Sequence, residues 1–283
     1  MRPAKLPQSE KNPNEIKAQV TNSKDPLLAH LNDLATSAGR RSRSQFLAEG
    51  LLLVQRAIAD ELAVDWIVYT SDLLRSSEGI LLLEMAAKAD IRCISCSAGL
   101  LGKVTSSRPV PEVAAPVTFR FQEAADAYTE STTTILIAEN INNPDNLGMT
   151  LRTADAAGAQ QVVVAGADPF HKNCVRAARG AVGRLTIAGC TELVKYVDFL
   201  KQQGVSVVGA ALDGDCDLHD AQLKRPVAII VGNENSGITP EVLRGCSLRV
   251  RIPMAAGQDS LNVGVAAGVM LYEVWRQGVG VGR

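Results

Sequence analysis

The sequence predicts an α/β protein in two parts, a small α/β domain followed by a larger one built on a parallel sheet. Its 283 residues suffice for two domains of ordinary size, and 46% of them are apolar, as packed domains require. The second half holds four short apolar runs, Ile135-Leu136-Ile137, Val162-Val163-Val164, Val205 with Val207-Val208, and Val227 with Ile229-Ile230-Val231, separated by helical stretches. Continuous runs of this kind suit a parallel sheet buried on both faces. The first half alternates strands and helices over residues 25–121, the pattern of a small α/β sandwich.

Residues 1–24 are polar and proline-bearing, too poor in apolar side chains to offset ordering entropy, and read as a flexible tail. From Asp25, an N-cap followed by Pro26, Leu27, Leu28, Leu31 and Leu34 recur at helical spacing, predicting a helix that ends near Gly39. A loop bearing Arg40, Arg41 and Arg43 follows. Phe46-Leu47 predicts a strand, Glu49 to Ala59 a helix, Trp66 to Tyr69 a strand, Ile80 to Ala89 a helix, Ile91 to Ser95 a strand, and Val113 to Phe121 holds a closing strand.

Residues 122–133 are polar and read as a linker to a domain spanning 134–283. Its helices are expected over Leu147 to Ala157, Lys172 to Val182, Glu192 to Gln203 and Asn262 to Gln277. Val263, Ala266, Ala267, Met270 and Val274 line one side of the last.

No apolar run reaches the roughly 18 uninterrupted residues of a membrane span, and the N-terminus lacks a signal-peptide core, so a cytoplasmic protein is expected. Among six cysteines the one close pair is Cys93-Ile-Ser-Cys96; a zinc ribbon would need a second pair, so reduced thiols and no metal are expected. A net charge of −1 gives no global sign of a polyanionic partner. Local basic clusters remain: Arg40, Arg41 and Arg43, and then Lys172, Arg176, Arg179 and Arg184. A dinucleotide enzyme would need Gly-x-Gly-x-x-Gly after an early strand; only a terminal GVGVGR is present, and it opens no helix.

Three polar clusters follow predicted strands of the second half: Asn146-Leu-Gly148-Met-Thr-Leu-Arg152, Gly232-Asn-Glu234-Asn-Ser-Gly237, and Ile252-Pro-Met254 leading to Ser260-Leu261-Asn262-Val263. Each alone is an ordinary cap or turn. In an open parallel sheet, however, ligands gather outside the carboxyl ends of strands, where such loops converge. Gly232, lacking a β-carbon at a strand end, would let a flat base lie against the backbone.

In order and spacing the three clusters resemble the signature motifs of the SpoU branch of the SPOUT RNA 2′-O-ribose methyltransferases. The resemblance implies a parallel-sheet SPOUT domain with a trefoil knot, a feature that composition and periodicity do not predict. It also implies S-adenosylmethionine held by Gly232, Ile252, Met254 and Leu261, with Ala210 or Ala211 nearby. GRRSRSQFLAEGLLLVQRAI resembles the opening of the ribosomal-protein-like substrate-binding domain of these enzymes, although Pro111-Glu112 stand where that domain usually has a glycine.

As catalytic residues the resemblance implies Arg152, Glu234 and Asn262, supported by Asn146 and Ser260. A guanidinium grips phosphate in a fork geometry and its pKa lies above about 12, which favours phosphate anchoring over base catalysis for Arg152. Glu234 would accept a hydrogen bond from the hydroxyl or orient Arg152. The family's serine two residues past Asn262 is Gly264 here, a departure expected to loosen the loop, and RAARGAVG carries Ala178 where a serine is usual. With Lys172 and Arg179 beside Arg176, an RNA-backbone track is implied.

The resemblance thus implies methyl transfer to a ribose 2′-hydroxyl of structured RNA, ribosomal RNA rather than transfer RNA, by a homodimer in which one subunit presents residues to its neighbour's cofactor pocket. The alternatives are a transfer RNA enzyme and a non-catalytic RNA-binding relative of the same fold.

Overall fold

Residues 18–256 and 260–279 are described by a computed structural model of the chain. In chain order the first elements are β1 (Ala18–Val20), α1 (Pro26–Asp33), α2 (Ser37–Arg43), β2 (Gln45–Glu49), α3 (Leu51–Ala59), β3 (Trp66–Tyr69), α4 (Ser77–Lys88), β4 (Arg92–Cys96), α5 (Ala98–Val104) and β5 (Val113–Thr118). They form a sheet ordered β1-β4-β3-β5-β2, with β1, β4 and β3 parallel and β5 antiparallel to β3.

The tail expected over residues 1–24 lies largely outside the described residues, but Ala18–Val20 pairs with Ile94–Cys96 and buries Val20. The helix expected to run from Asp25 to Gly39 is two helices. Thr36 caps the second, its hydroxyl accepting from the Gly39 amide at 3.0 Å, so Gly39 is an early residue of a new helix rather than a stop signal. The arginines expected on a loop therefore belong to α2, which ends at Ser44 with φ of 51°.

The remaining elements are α6 (Ala124–Ala127), β6 (Thr134–Glu139), α7 (Pro144–Ala156), β7 (Gln161–Ala165), α8 (Lys172–Ala178), α9 (Ala181–Arg184), β8 (Thr186–Gly189), α10 (Leu193–Gln202), β9 (Ser206–Ala210), β10 (Cys216–Asp217), β11 (Val227–Val231), α11 (Pro240–Gly245), β12 (Leu248–Arg251) and α12 (Val263–Val279). Every strand pairing in the order β10-β12-β9-β11-β6-β7-β8 is parallel. The helix expected over Lys172 to Val182 is broken because Arg179 and Gly180 both take left-handed backbone angles, φ 49° and 95°. Residues 122–133 include α6, whose Ala124 and Ala127 are buried.

The apolar runs of the sheet are buried on both faces. Ile135, Ile137, Val163, Val207 and Ile230 share a core with Leu193, Tyr196, Val197 and Leu200 of α10. Their strand neighbours Leu136, Val162, Val208 and Ile229, pointing the other way, are buried as well, on the face where α12 packs against α7 and β11. Full burial of one such side chain contributes about 1.5–3 kcal/mol, so each run is a strong determinant of strand placement.

Two compact units are distinguished among the described residues: Glu49–Val117 with the segment before Leu34, and Leu34–Ala48 with the chain from Thr118 onward. In the second unit, β12 lies between β9 and β10, although the chain passes directly from β9 to β10. Val250 is level with Ala210 on one side and Cys216 on the other, so residues 211–215 must cross over β12. Gly214 makes the crossing: a β-carbon there would stand 2.5 Å from the Arg251 nitrogen and 2.6 Å from the Val250 carbonyl carbon. Asp215 and Asp217 then pair with Arg249 and Arg251, fastening the crossing segment to the strand beneath it.

Candidate active site

The first polar cluster is held by helix capping. Asn143 caps α7, its Oδ1 accepting from the amides of Asp145 at 2.9 Å and Asn146 at 3.4 Å, and Pro144 occupies the first turn, where no amide hydrogen is needed. Asn146 thus projects from the first turn of α7. Gly148 lets α8 approach, since a β-carbon there would collide with the Cys174 carbonyl.

The second cluster is a closed loop. The Asn233 amide donates to the Gly237 carbonyl at 3.0 Å and the Gly237 amide returns a bond at 2.9 Å. Asn233 Oδ1 accepts from the amides of Asn235 and Ser236, and its Nδ2 donates to the Asn140 carbonyl at 2.8 Å. A β-carbon on Gly232 would overlap the Gly237 carbonyl, and Gly237 takes φ of 68°, so both glycines are conformational requirements.

The third cluster begins α12. Asn262 caps it: its carbonyl accepts from Ala266 at 2.9 Å, and its Oδ1 accepts from the Gly264 amide, also at 2.9 Å. A β-carbon on Gly264 would stand 3.3 Å from both Asn262 Oδ1 and Met149 Cβ, so the turn into α12 packs closely against α7 at this position.

The three clusters meet at Asn146. Its Nδ2 donates to Glu234 Oε1 at 2.8 Å, and its Oδ1 accepts from Asn262 Nδ2 at 2.9 Å. A carboxylate can only accept, so it fixes the orientation of the Asn146 amide; the Gly264 bond likewise fixes that of Asn262. Burial pushes the Glu234 carboxyl up, but donation from Asn146 and from the amides of Glu234, Asn143 and Asn142 outweighs it and holds the group below the usual glutamate range. At neutral pH Glu234 is an anion and a weak base.

Beside this trio lies a cavity of about 320 Å³, within the range of small-molecule sites. Its wall includes all five positions expected to hold a cofactor, Ala211, Gly232, Ile252, Met254 and Leu261, together with Glu234 and Ser260. Leu212, which the sequence reasoning did not single out, is 63% exposed on the same wall. Among the described residues the wall is mostly apolar and its one charged side chain is Glu234, which suits an apolar or cationic small molecule.

Arg152 does not join the trio. Six residues beyond Asn146 on α7, it is rotated by roughly 120° about the helix axis, is exposed, and makes no hydrogen bond or ion pair among the described residues. The basic positions also divide. Arg41, Arg43, Lys172, Arg176 and Arg179 are exposed. Arg40, expected among the RNA contacts, is instead 3% exposed, bonded to the carbonyls of Leu34 and Ala35 and paired with Asp168 at 2.5 Å, so its guanidinium is not available to RNA. Arg176 is partly neutralised by Asp145 at 3.1 Å. Among the described residues no three His, Cys, Asp or Glu side chains could hold a metal ion, and no helix is long and apolar enough to cross a membrane.

A family model described as the SpoU rRNA methylase family matches residues 133–272, and one described as an MRM3-like substrate binding domain matches residues 26–115. The chain is 34% identical over 203 residues to the 23S rRNA (guanosine-2'-O-)-methyltransferase RlmB of Nitrosomonas europaea, covering 69% of this chain and 78% of that one. It is 29% identical over 258 residues to the 23S rRNA (guanosine(2553)-2'-O)-methyltransferase RlmP of Bacillus subtilis, covering 90% and 98%. Some other curated relatives are matched over only 59–60% of their own length. An AdoMet-bound rRNA methyltransferase from Sinorhizobium meliloti superposes with a TM-score of 0.78 at 28% identity, covering 91% of this chain and 97% of that one.

Proposed function

Because this chain belongs to the SpoU rRNA methylase family, we propose that it transfers the methyl group of S-adenosylmethionine to a ribose 2′-hydroxyl of structured RNA, with ribosomal RNA as the substrate. The observation that carries this reading is the bonded trio Glu234, Asn146 and Asn262 beside the cavity. The named relatives from Nitrosomonas europaea and Bacillus subtilis are 23S rRNA guanosine 2′-O-methyltransferases.

S-adenosylmethionine, when bound, supplies an electrophilic methyl group on a cationic sulfur. Ala211, Gly232, Ile252, Met254 and Leu261 line its cavity, and the Glu234 anion on the same wall favours positive charge. Asn146, Asn262 and Ser260 offer neutral donors and acceptors that orient the ribose. Glu234, held below the usual glutamate range, orients these groups rather than taking the hydroxyl proton, which passes to solvent.

Arg152 grips a phosphate next to the target sugar, and it does so for the site of a second copy of this chain. Its exposure and its separation from the trio support this, as does the outer face of α12, where Val265, Val269, Tyr272 and Trp275 are 39–50% exposed. A helix apolar on both faces is a buried helix, and a homodimer covers the outer one.

Residues 25–121 hold RNA, 122–133 connect, and 134–283 carry out the transfer; the two family matches, 26–115 and 133–272, support this division. Arg41, Arg43, Lys172, Arg176 and Arg179 supply phosphate contacts. The crossing of residues 211–215 over β12 supports a trefoil knot in the second unit. On this reading the protein works in the cytoplasm, as a ribosomal RNA substrate like that of the bacterial relatives would require.

Incubation with labelled S-adenosylmethionine and total RNA from a strain lacking the protein should label one class of RNA. A transcript carrying a single 2′-deoxy sugar at the mapped nucleotide should take no label. Label on that transcript would refute ribose methylation; failure to label any RNA would favour a binding protein.

A further inference from the structure

Glu139 is a buried carboxylate for which the chemistry above has no task. It ends β6 and is 4% exposed, and its side chain hydrogen-bonds to one residue among the described residues, Thr239. A carboxylate removed from water is unfavourable unless fixed donors replace its hydration. Thr239 supplies two: its amide lies 2.9 Å from Oε2 and its hydroxyl 2.7 Å from Oε1.

Thr239 stands at the exit of the closed loop that carries Glu234. The entry of that loop is tied one residue further along the same strand end, where Asn233 Nδ2 donates to the Asn140 carbonyl at 2.8 Å. Asn140 is itself fixed, with φ of 52°, and its side chain fills the place that a β-carbon on Gly166 would need. Both feet of the loop therefore rest on Glu139 and Asn140, after which the chain turns into α7 and Asn146. One strand end sets the spacing between the two residues whose hydrogen bond joins the first and second clusters.

We propose that Glu139 is a positioning residue for methyl transfer: through Thr239 it holds the Glu234 loop in register with Asn146. The inference rests on the methyltransferase reading above. Glutamine at this position retains both contacts, because its carbonyl accepts from the Thr239 amide and its nitrogen donates to the hydroxyl oxygen. Alanine removes both, and Thr239→Val removes the hydroxyl alone.

The test measures transfer from labelled S-adenosylmethionine to total RNA of the deletion strain, with kcat expressed per chain able to bind the cofactor in a direct titration. Glu139→Ala and Thr239→Val should each lower this kcat about tenfold, whereas Glu139→Gln should stay within about threefold of the wild type. A residue that only stabilises the fold would change the fraction of binding-competent chains and leave kcat per such chain unchanged. Values within about twofold of the wild type for Glu139→Ala and Thr239→Val overturn the inference, as does a Glu139→Gln variant no better than alanine. If Glu139→Ala does not fold, Thr239→Val against Glu139→Gln decides. A wild-type protein that labels no RNA refutes the methyltransferase reading instead.

Discussion

Among the described residues the Asn146 side chain hydrogen-bonds to both other clusters, and an amide is the group that can do so, since it donates to a carboxylate and accepts from a second amide at once. Its removal has a consequence that can be read in pH. In the wild type the Glu234 pKa is depressed, so the stability it contributes is fully present above the ordinary glutamate value of about 4.3 and is lost as pH falls through the lower folded-state value. Without the Asn146 donor, burial is opposed only by backbone amides and the folded-state pKa rises. In Asn146→Ala the acid-side loss of thermal stability should therefore begin at higher pH than in the wild type, with kcat reduced at least about tenfold. Unfolding curves whose acid limbs coincide would show that the Asn146 contact does not stabilise the Glu234 anion.

Among the elements, the crossing of residues 211–215 over β12 leaves no space for a side chain at Gly214. Because the atoms at 2.5 and 2.6 Å are backbone, neither neighbour can rotate away. Gly214→Ala should destabilise the protein by about 1–3 kcal/mol and weaken cofactor binding, since Ala210, Ala211 and Leu212 line the cavity immediately before the crossing. Thermal melts and a cofactor titration check this, and an unchanged variant would mean that the crossing is looser than the geometry requires. Nothing in the sequence marks Gly214, which reads as a turn glycine between aspartates. The long apolar strands β6, β7, β9 and β11 were legible because a sheet buried on both faces writes itself as a run of Val and Ile. The break between α8 and α9 was not, since a left-handed pair at Arg179 and Gly180 leaves no periodic trace, and neither was the four-residue β8. The site shows the same division. Gly232, Ile252, Met254 and Leu261 on the cavity wall were legible because they fall in recognisable motifs, whereas Leu212 carries no such mark, Glu139 and Asn233 make contacts remote in sequence, and the burial of Arg40 depends on Asp168, which is 128 residues away.

For the whole molecule, α12 poses the decisive question. Its inner face buries Val263, Ala267, Met270, Leu271 and Val274, and its outer face leaves Tyr272 half exposed and Trp275 48% exposed. Gly268 brings it close to Thr153, the residue after Arg152 on α7, so the apolar outer face and the arginine, which has no hydrogen bond or ion pair among the described residues, lie on adjoining helices of the second unit. In the homodimer proposed above, each site would take the trio from one chain and Arg152 from the other. Arg152→Ala and Asn146→Ala homodimers should then both be inactive. When the two variants are co-expressed, the mixed dimer pairs an intact trio on the Arg152→Ala chain with an intact arginine on the Asn146→Ala chain, restoring one site of two. Random pairing yields mixed dimers as half of the population, so activity should return to about a quarter of the wild-type value. If Arg152 served its own chain's site, every site in the mixture would lack one component, and activity would stay at the level of the separate variants.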